Sequence, residues 1–465
     1  MVNYDSKPQD FAIDSQPVES YIPSMDILHD TTMVRSAILG TAVADASGMG
    51  LHWIYSQGKI AQIVKAAGGT AEFLEPDPAN YQGVPAFFAH PHRHAGDGSN
   101  YGEYLYILMR AVGDPALGGG QQGSNGDPAL DGGQQGSVGD AGLHGEQGFD
   151  RGAYVRAFGE HFGVGGTYVG YADGPMRETI FNMTRLGKEL EQRVLGVDTV
   201  LDDTQKKAAA HYIARYFFEY DREGLKEQVR TPLKLQEWKA AHLDEVNRII
   251  DIVGDEIGGI GPDDDQMPAL SRSAVLAHFY SGRELDQVVE QAVRITNDND
   301  KAVAYSQFFA QLMRGIYESG SPAPGAAPSG KPGAEPGNAP STLRRLIEEN
   351  LTRLGTDEQE LLSQALAYDA LDYRSATKRF GAACHVDMAV PLVIHILLQT
   401  ASFREANRVN IMASGDNCGR AVMLGAVAGA LYGVGGEHGI PEDWITRSTL
   451  VERLRATEGG WLLQQ

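Results

Sequence analysis

Residues 414–433 read SGDNCGRAVMLGAVAGALYG. Beyond Arg420 the stretch carries no charge, and Gly425, Gly429 and Gly433 recur every four positions among alanines and aliphatic residues. Positions four apart share one face of an α-helix. The spacing therefore predicts a helix with one nearly bare face, pressed against a neighbour at the centre of the fold. Asp416 stands at its start. There a carboxylate caps backbone N–H groups, or a phosphate or metal-bridged ligand meets them. Asn417 lies beside it, and Arg420, one turn in, suits a carboxylate, a phosphate or a structural ion pair.

Working outward, small and apolar residues at helical spacing recur from Met33 to Ala46, and YGEYLYILMRAV at 101–112 continues the pattern. Helical periodicity returns near 150–162, 175–190, 203–220, 235–253, 267–280, 284–296, 299–318, 341–353, 358–371, 387–400 and 417–433. Alternating β-type runs are nearly absent, and only 68–75 and 163–171 suit short extended or irregular segments. The class is all-α, a single large orthogonal multi-helix domain rather than a simple bundle. Two low-complexity insertions interrupt it. In the first, 113–148, GDPALGGGQQGSN at Gly113 returns as GDPALDGGQQGSV at Gly126 and more weakly at Gly139. Units with one leucine each cannot build a core, so the tract is expected to be disordered. The second, 320–340, is rich in proline, glycine and alanine. Residues 1–28 read as a flexible leader, 29–456 as the domain and 457–465 as a C-terminal tail.

The chain has 465 residues, 42% of them hydrophobic, and a net charge of −22. Such an acid excess argues against nucleic acid or an anionic membrane as partner, since phosphate binding relies on clustered Lys and Arg. No apolar run reaches the ~18 residues of a membrane span. With only Cys384 and Cys418, a disulfide scaffold is excluded and a Cys-based zinc site is not expected, and a cytoplasmic location is expected. Oligomeric state is not encoded legibly.

Four clusters carry candidate chemistry. Asp45 lies in the apolar helix that ends before Gly50-Leu51-His52-Trp53. A buried carboxylate must be paired, hydrogen-bonded or open to a cavity; the plainest expectation is a bond to a nearby loop amide. His52 and Trp53 follow a glycine-rich break where a ligand reaches an aromatic face, although Trp53 serves equally well as core. The second cluster, His90 to Glu103, holds Asp97, Ser99 and Asn100 just before a helix. These are oxygen donors for a hard cation or ordinary N-cap residues. The third, GPDDDQM from Gly261, sets Asp263, Asp264 and Asp265 in succession, with Asp263 and Gln266 resembling a capping box. The fourth is the run at Asp416. Cys384-His385 makes a poor nucleophile–base pair, because adjacent residues seldom face each other.

In these blocks, taken in order, the chain resembles the ADP-ribosylglycohydrolase superfamily and its J-crystallin-like branch. The blocks are AILGTAVADASGMGLHWIY, AGDGSNYGEYLYILMR, GPDDDQMPALSRSAVLAHFYSGRELDQVVEQAVRITNDND, GAACHVDMAVPLVIHILL and EANRVNIMASGDNCGRAVMLGAVAGALYG. The resemblance implies an all-α fold with a central cleft. Active members hold two divalent cations, usually magnesium, between an N-terminal Thr-Asp-Asp-Thr run and a C-terminal Gly-Asp-x-Asp-Thr/Ser run. They hydrolyse the bond joining ADP-ribose to a side chain or small molecule. In this chain Ser99-Asn100-Tyr101-Gly102 replaces the first run, and Cys418 and Gly419 replace the second Asp and the hydroxyl. The implied function is thus a hydrolase of an N- or O-glycosidic bond in an ADP-ribose-like small molecule or ADP-ribosylated substrate, with a degenerate site. Asp416, Asp264 and Asp97 are its expected acids or bases. Asp264, Asp265 and Asp416 would hold at most one magnesium ion. Asp45, His52, Trp53, Ser99, Asn100, Tyr101, Asn417 and Arg420 would contact substrate. An inactive nucleotide-binding relative and a structural crystallin-like protein are the alternatives.

Overall fold

The computed structural model describes residues 28, 30–112, 149, 151–163, 166–202, 204–207, 260–320, 339–368 and 372–464. All of the leader but Leu28, most of the two low-complexity tracts, most of the helix expected at 203–220 and the helix expected at 235–253 lie outside the described residues. The helices of the first part are α1 (Thr32–Gly48), α2 (Gln57–Ala66), α3 (Asn100–Ala111), α4 (Arg151–Phe162) and α5 (Gly174–Gly196). Then come α6 (Ser273–Phe279), α7 (Gly282–Val293), α8 (Asp300–Ser319), α9 (Ala339–Asn350), α10 (Thr356–Ala367) and α11 (Tyr373–Phe380). The last five are α12 (Val386–Gln399), α13 (Phe403–Met412), α14 (Asn417–Tyr432), α15 (Glu442–Arg447) and α16 (Thr449–Arg455). Extended pairing among the described residues is limited to isolated bridges, such as Ile54 with Ala86 and with Gly415, and Gln266 with His385. The domain is all-α, and 68–75 and 166–171 are irregular.

The bare face predicted on α14 meets α1. A Cβ added at Gly40 would overlap the Gly425 carbonyl oxygen, one at Gly425 the Gly40 carbonyl, and one at Gly429 the Ser36 carbonyl. The two backbones therefore touch, and only glycine permits it. Every residue of α14 is buried, and all of α1 from Met33 on except Arg35. Helices apolar on all sides belong in the centre of a core, and α3, α6, α8, α12, α13 and α16 surround this pair.

Polar contacts tie the surrounding helices to one another. Glu103 on α3 takes both Arg453 Nη atoms of α16 at 2.7 Å and His161 of α4 at 2.8 Å. Burial would raise this carboxyl, but the Arg453 and His161 bonds outweigh it and hold it down at about 2. The segment after α16 forms a 3-10 turn, Glu458–Leu463, with Leu462 and Leu463 buried.

Candidate functional site

Segments 52–55, 99–101, 171–174, 264–266, 382–386 and 414–418 converge where α14 begins. Ser414 and Gly415 both adopt left-handed backbone, with φ of 72° and 67°, and so reverse the chain between α13 and α14. The Gly415 carbonyl accepts from Trp53 N at 2.9 Å, and Gly415 N donates to Ile54 O at 2.8 Å. On the other side Asp416 N donates to Ala382 O at 2.9 Å. Trp53 itself has φ 61°, an uncommon state for a bulky residue that costs about 1–3 kcal/mol and tends to occur at functional sites.

Asp416 is the centre of the inner part. Its Oδ1 accepts from Gly419 N at 3.0 Å and lies 2.8 Å from His52 Nε2, and its Oδ2 accepts from Tyr101 Oη at 2.8 Å. His52 Nδ1 lies 2.7 Å from His90 Nε2. The His52 ring therefore links Asp416 to His90, one nitrogen on each. Burial and the neighbouring His52 and Arg93 hold His90 well below the ordinary histidine range. Asp45 accepts from Ser99 Oγ at 2.5 Å and Ser99 N at 2.8 Å, as expected for a bond to a nearby loop. Burial pushes its carboxyl up to about 7. Asn100 donates to Asp173, which also takes Tyr104 Oη, each at 2.8 Å. Asp45, His52, Asn100, Tyr101, Asp416, Cys418 and Arg420 are all fully buried.

The outer part is half-open. Asp264 accepts from Gln266 N at 2.9 Å, Gln266 Nε2 at 2.8 Å and Asn297 Nδ2 at 3.1 Å. Its partners are amides without charge, and burial raises it to about 6. Asp264, rather than Asp263, makes the turn that leads into Met267; Asp263 is exposed and bonds Asn299. Asp265 is committed to His385 Nδ1 at 2.5 Å and Lys301 Nζ at 3.2 Å, and Lys301 also meets Asp387 at 3.0 Å. Partial burial opposes ionisation of Asp265, but those two bonds prevail and lower it. Above His52, the Trp53, Phe87 and Tyr171 rings pack with centroids 5.0–5.7 Å apart. Tyr55 and Phe87 are 42% and 52% exposed, and half-buried Cys384 lies within electrostatic reach of Tyr55, Asp416 and Asp264.

The structure brings together Asp45, His52, Trp53, Ser99, Asn100, Tyr101, Asn417 and Asp416, with Asp264 on the rim. Asp97 is turned away, accepting from Thr449 Oγ1 and His94 N at 2.8 Å. Arg420 points back into the α13–α14 turn, bonding Asn410 Oδ1, Asn410 O and Ser414 O, so it meets no carboxylate. Asn417 caps α1 through the Gly48 carbonyl. Asp173, Tyr171, Tyr55, Phe87 and Lys301 were not singled out in the sequence. Only Asp173, an N-cap ahead of Pro175, left a local signal.

The residues present do not fit the dinuclear centre that the resemblance implies. A hard cation takes six or more oxygens, yet Asp416 is the one carboxylate contributed by the two runs themselves, and three donors already occupy it; Asp45 and Asp173 beside them are held by Ser99, Asn100 and Tyr104. Among the described residues no group of three or more His, Cys, Asp or Glu side chains is placed to hold a metal ion, so Asp264, Asp265 and Asp416 form no magnesium cradle.

The chain is 22% identical over 417 residues to Crystallin J1A of Tripedalia cystophora, covering 89% of this chain and 91% of that protein. A solved structure titled ADP-ribosylglycohydrolase-related protein complex is 15% identical, with a TM-score of 0.38, covering 93% of this chain and 97% of that one. The family model described as ADP-ribosylglycohydrolase matches residues 28–464. That match runs from the start of α1 through the turn after α16 and takes in every residue of the site, and the chain belongs to the ADP-ribosylglycohydrolase family.

Proposed function

We propose that this chain keeps the ligand site of its family without two-metal hydrolysis, and binds a ribose-bearing, ADP-ribose-like small molecule at the rim above Asp416. The observation that carries this is the state of Asp416. It is fully buried, with His52, Tyr101 and Gly419 N on its oxygens. A carboxylate so enclosed neither binds a dehydrated cation nor reaches a substrate proton. The exposed aromatic rim next to it remains available for a flat ring.

Hydrolysis of an N- or O-glycosidic bond remains the second reading. It is favoured by Asp264, the one acid of the rim that is half-exposed, lacks a cationic partner and is raised to about 6. Such a group suits general acid catalysis near neutral pH. A purely structural role, as the name of the crystallin relative suggests for that protein, is the outcome if nothing binds. The test is calorimetry with ADP-ribose in chelator and in magnesium, beside turnover assays on ADP-ribosylated arginine and serine. Binding without turnover, unchanged by magnesium, is expected. Magnesium-dependent turnover would overturn the proposal.

A further inference from the structure

The chemistry of the rim narrows the ligand further. Its polar atoms are mostly acceptors: Asp264 and Asp265 on the loop, Asp387 behind Lys301, and Asp173 and Asp416 below. Asn100 adds a fully buried Oδ1 with no partner beside Asp173. Two of the nearby cations are spent on those acids: Lys301 bridges Asp265 and Asp387, and His385 is on Asp265. Arg420 is fully buried on Asn410 and the Ser414 carbonyl, with its Nη1 unpartnered inside the core, and exposed Arg177 holds the Ala172 carbonyl, which leaves its charge in place. Relatives can set metal charge against a diphosphate, whereas this rim has no cation cluster to do so. Like charges a few ångströms apart at a protein surface repel appreciably. The aromatic wall asks for the opposite kind of group. Trp53, Tyr55, Phe87 and Tyr171 offer faces and edges that stack on a flat ring and attract a cationic one.

Resting on the proposed ligand site, we infer that the rim selects the ring-bearing end of an N-riboside, uncharged or cationic, over a phosphorylated one. The rim therefore prefers a pyridinium or purine riboside to ADP-ribose. Asp264 faces the positive charge, and Phe87 takes the ring.

Calorimetry in chelator at low salt tests this with three probes: adenosine, nicotinamide riboside and ADP-ribose. Both ribosides should bind at least about tenfold more tightly than ADP-ribose, with the gap narrowing as salt screens the carboxylates. Asp264→Asn should weaken nicotinamide riboside about threefold or more while leaving adenosine nearly unchanged. Phe87→Ala, at an exposed position that folding does not need, should weaken both ribosides. ADP-ribose binding more tightly than either riboside would overturn the charge selection and leave the ligand site standing. An Arg177→Ala variant that loses such binding would identify the phosphate anchor instead. Failure of all three probes to bind at millimolar concentration would overturn the ligand site itself.

Discussion

Two groups of carboxylates lie a few residues apart in space and live in different media. Asp45 and Asp416, at the facing ends of α1 and α14, see no water and spend every bond inside the protein. Asp264 and Asp265, on the loop that crosses the rim, are half-exposed. The inner pair has become part of the core, where an acid is tolerated only because donors surround it. The outer pair keeps the access that binding or proton transfer needs. Family membership alone would have placed the chemistry on the inner pair, whereas the proposed ligand site lies on the outer one.

The sharpest way to break this contrast is to remove one acid from each group. Asp416→Ala strands the His52 and Tyr101 donors and uncaps α14, and should cost about 3–5 kcal/mol of stability. Asp264→Ala, with water close by, should cost about 1–2 kcal/mol. Denaturant unfolding of both variants decides it; equal losses would erase the distinction.

A smaller effect separates the groups by pH. The folded-state carboxyl of Asp45, at about 7, lies above the ordinary value of 3.8. The native state thus holds a proton that the unfolded chain releases, and stability falls as pH rises from about 4 to about 7. Asp45→Asn should flatten that fall by about 2 kcal/mol between pH 5 and pH 8. Asp264, raised only to about 6 and half-exposed, has the same sign, but Asp264→Asn should change the slope much less because solvent screens it. Chemical unfolding at the two pH values measures both.

The smallest expected effect is that of metal. Chelator, magnesium, manganese or calcium at millimolar concentration should leave the thermal midpoint within about 1 °C. A ligand that binds the native state even at 100 times its Kd would add about 2.7 kcal/mol and would be plain in the same scan.

Much of the architecture was legible in the sequence because it rests on local pattern. The glycine spacing of α14 and the apolar run of α1 announced the central pair, and the class followed from helical periodicity. Helices α2, α11, α13, α15 and α16 went unannounced. YRSATKRF buries only Ala376 and Phe380, and FREANRVNIM buries Asn407 and Asn410 alongside Phe403, Ala406 and Ile411, so their apolar stripe is thin and their caps supply most of the signal. In the site, Asp45 was legible as a polar residue in an apolar helix, and Ser99 and Asp416 as caps at helix starts. Their partners were not, since Tyr101 reaches Asp416 across 315 positions. Asp97 shows the opposite failure. Its neighbours Ser99 and Asn100 turn inward, yet the His94 N–H and the distant Thr449 hydroxyl hold it elsewhere, and the Thr449 contact is not encoded in the local sequence.

The contact of Gly40 with Gly425 also sets a timetable. The two glycines come from opposite ends of the chain, so α1 leaves the ribosome with its partner still unmade. At about 5–20 residues per second the wait is roughly 20–80 s. Throughout it, an almost wholly apolar helix has no surface of its own to cover it. Chains with such distant closing contacts fold slowly. Protein halted before α14 should therefore be caught by chaperones or aggregate, while the completed chain closes around both helices at once.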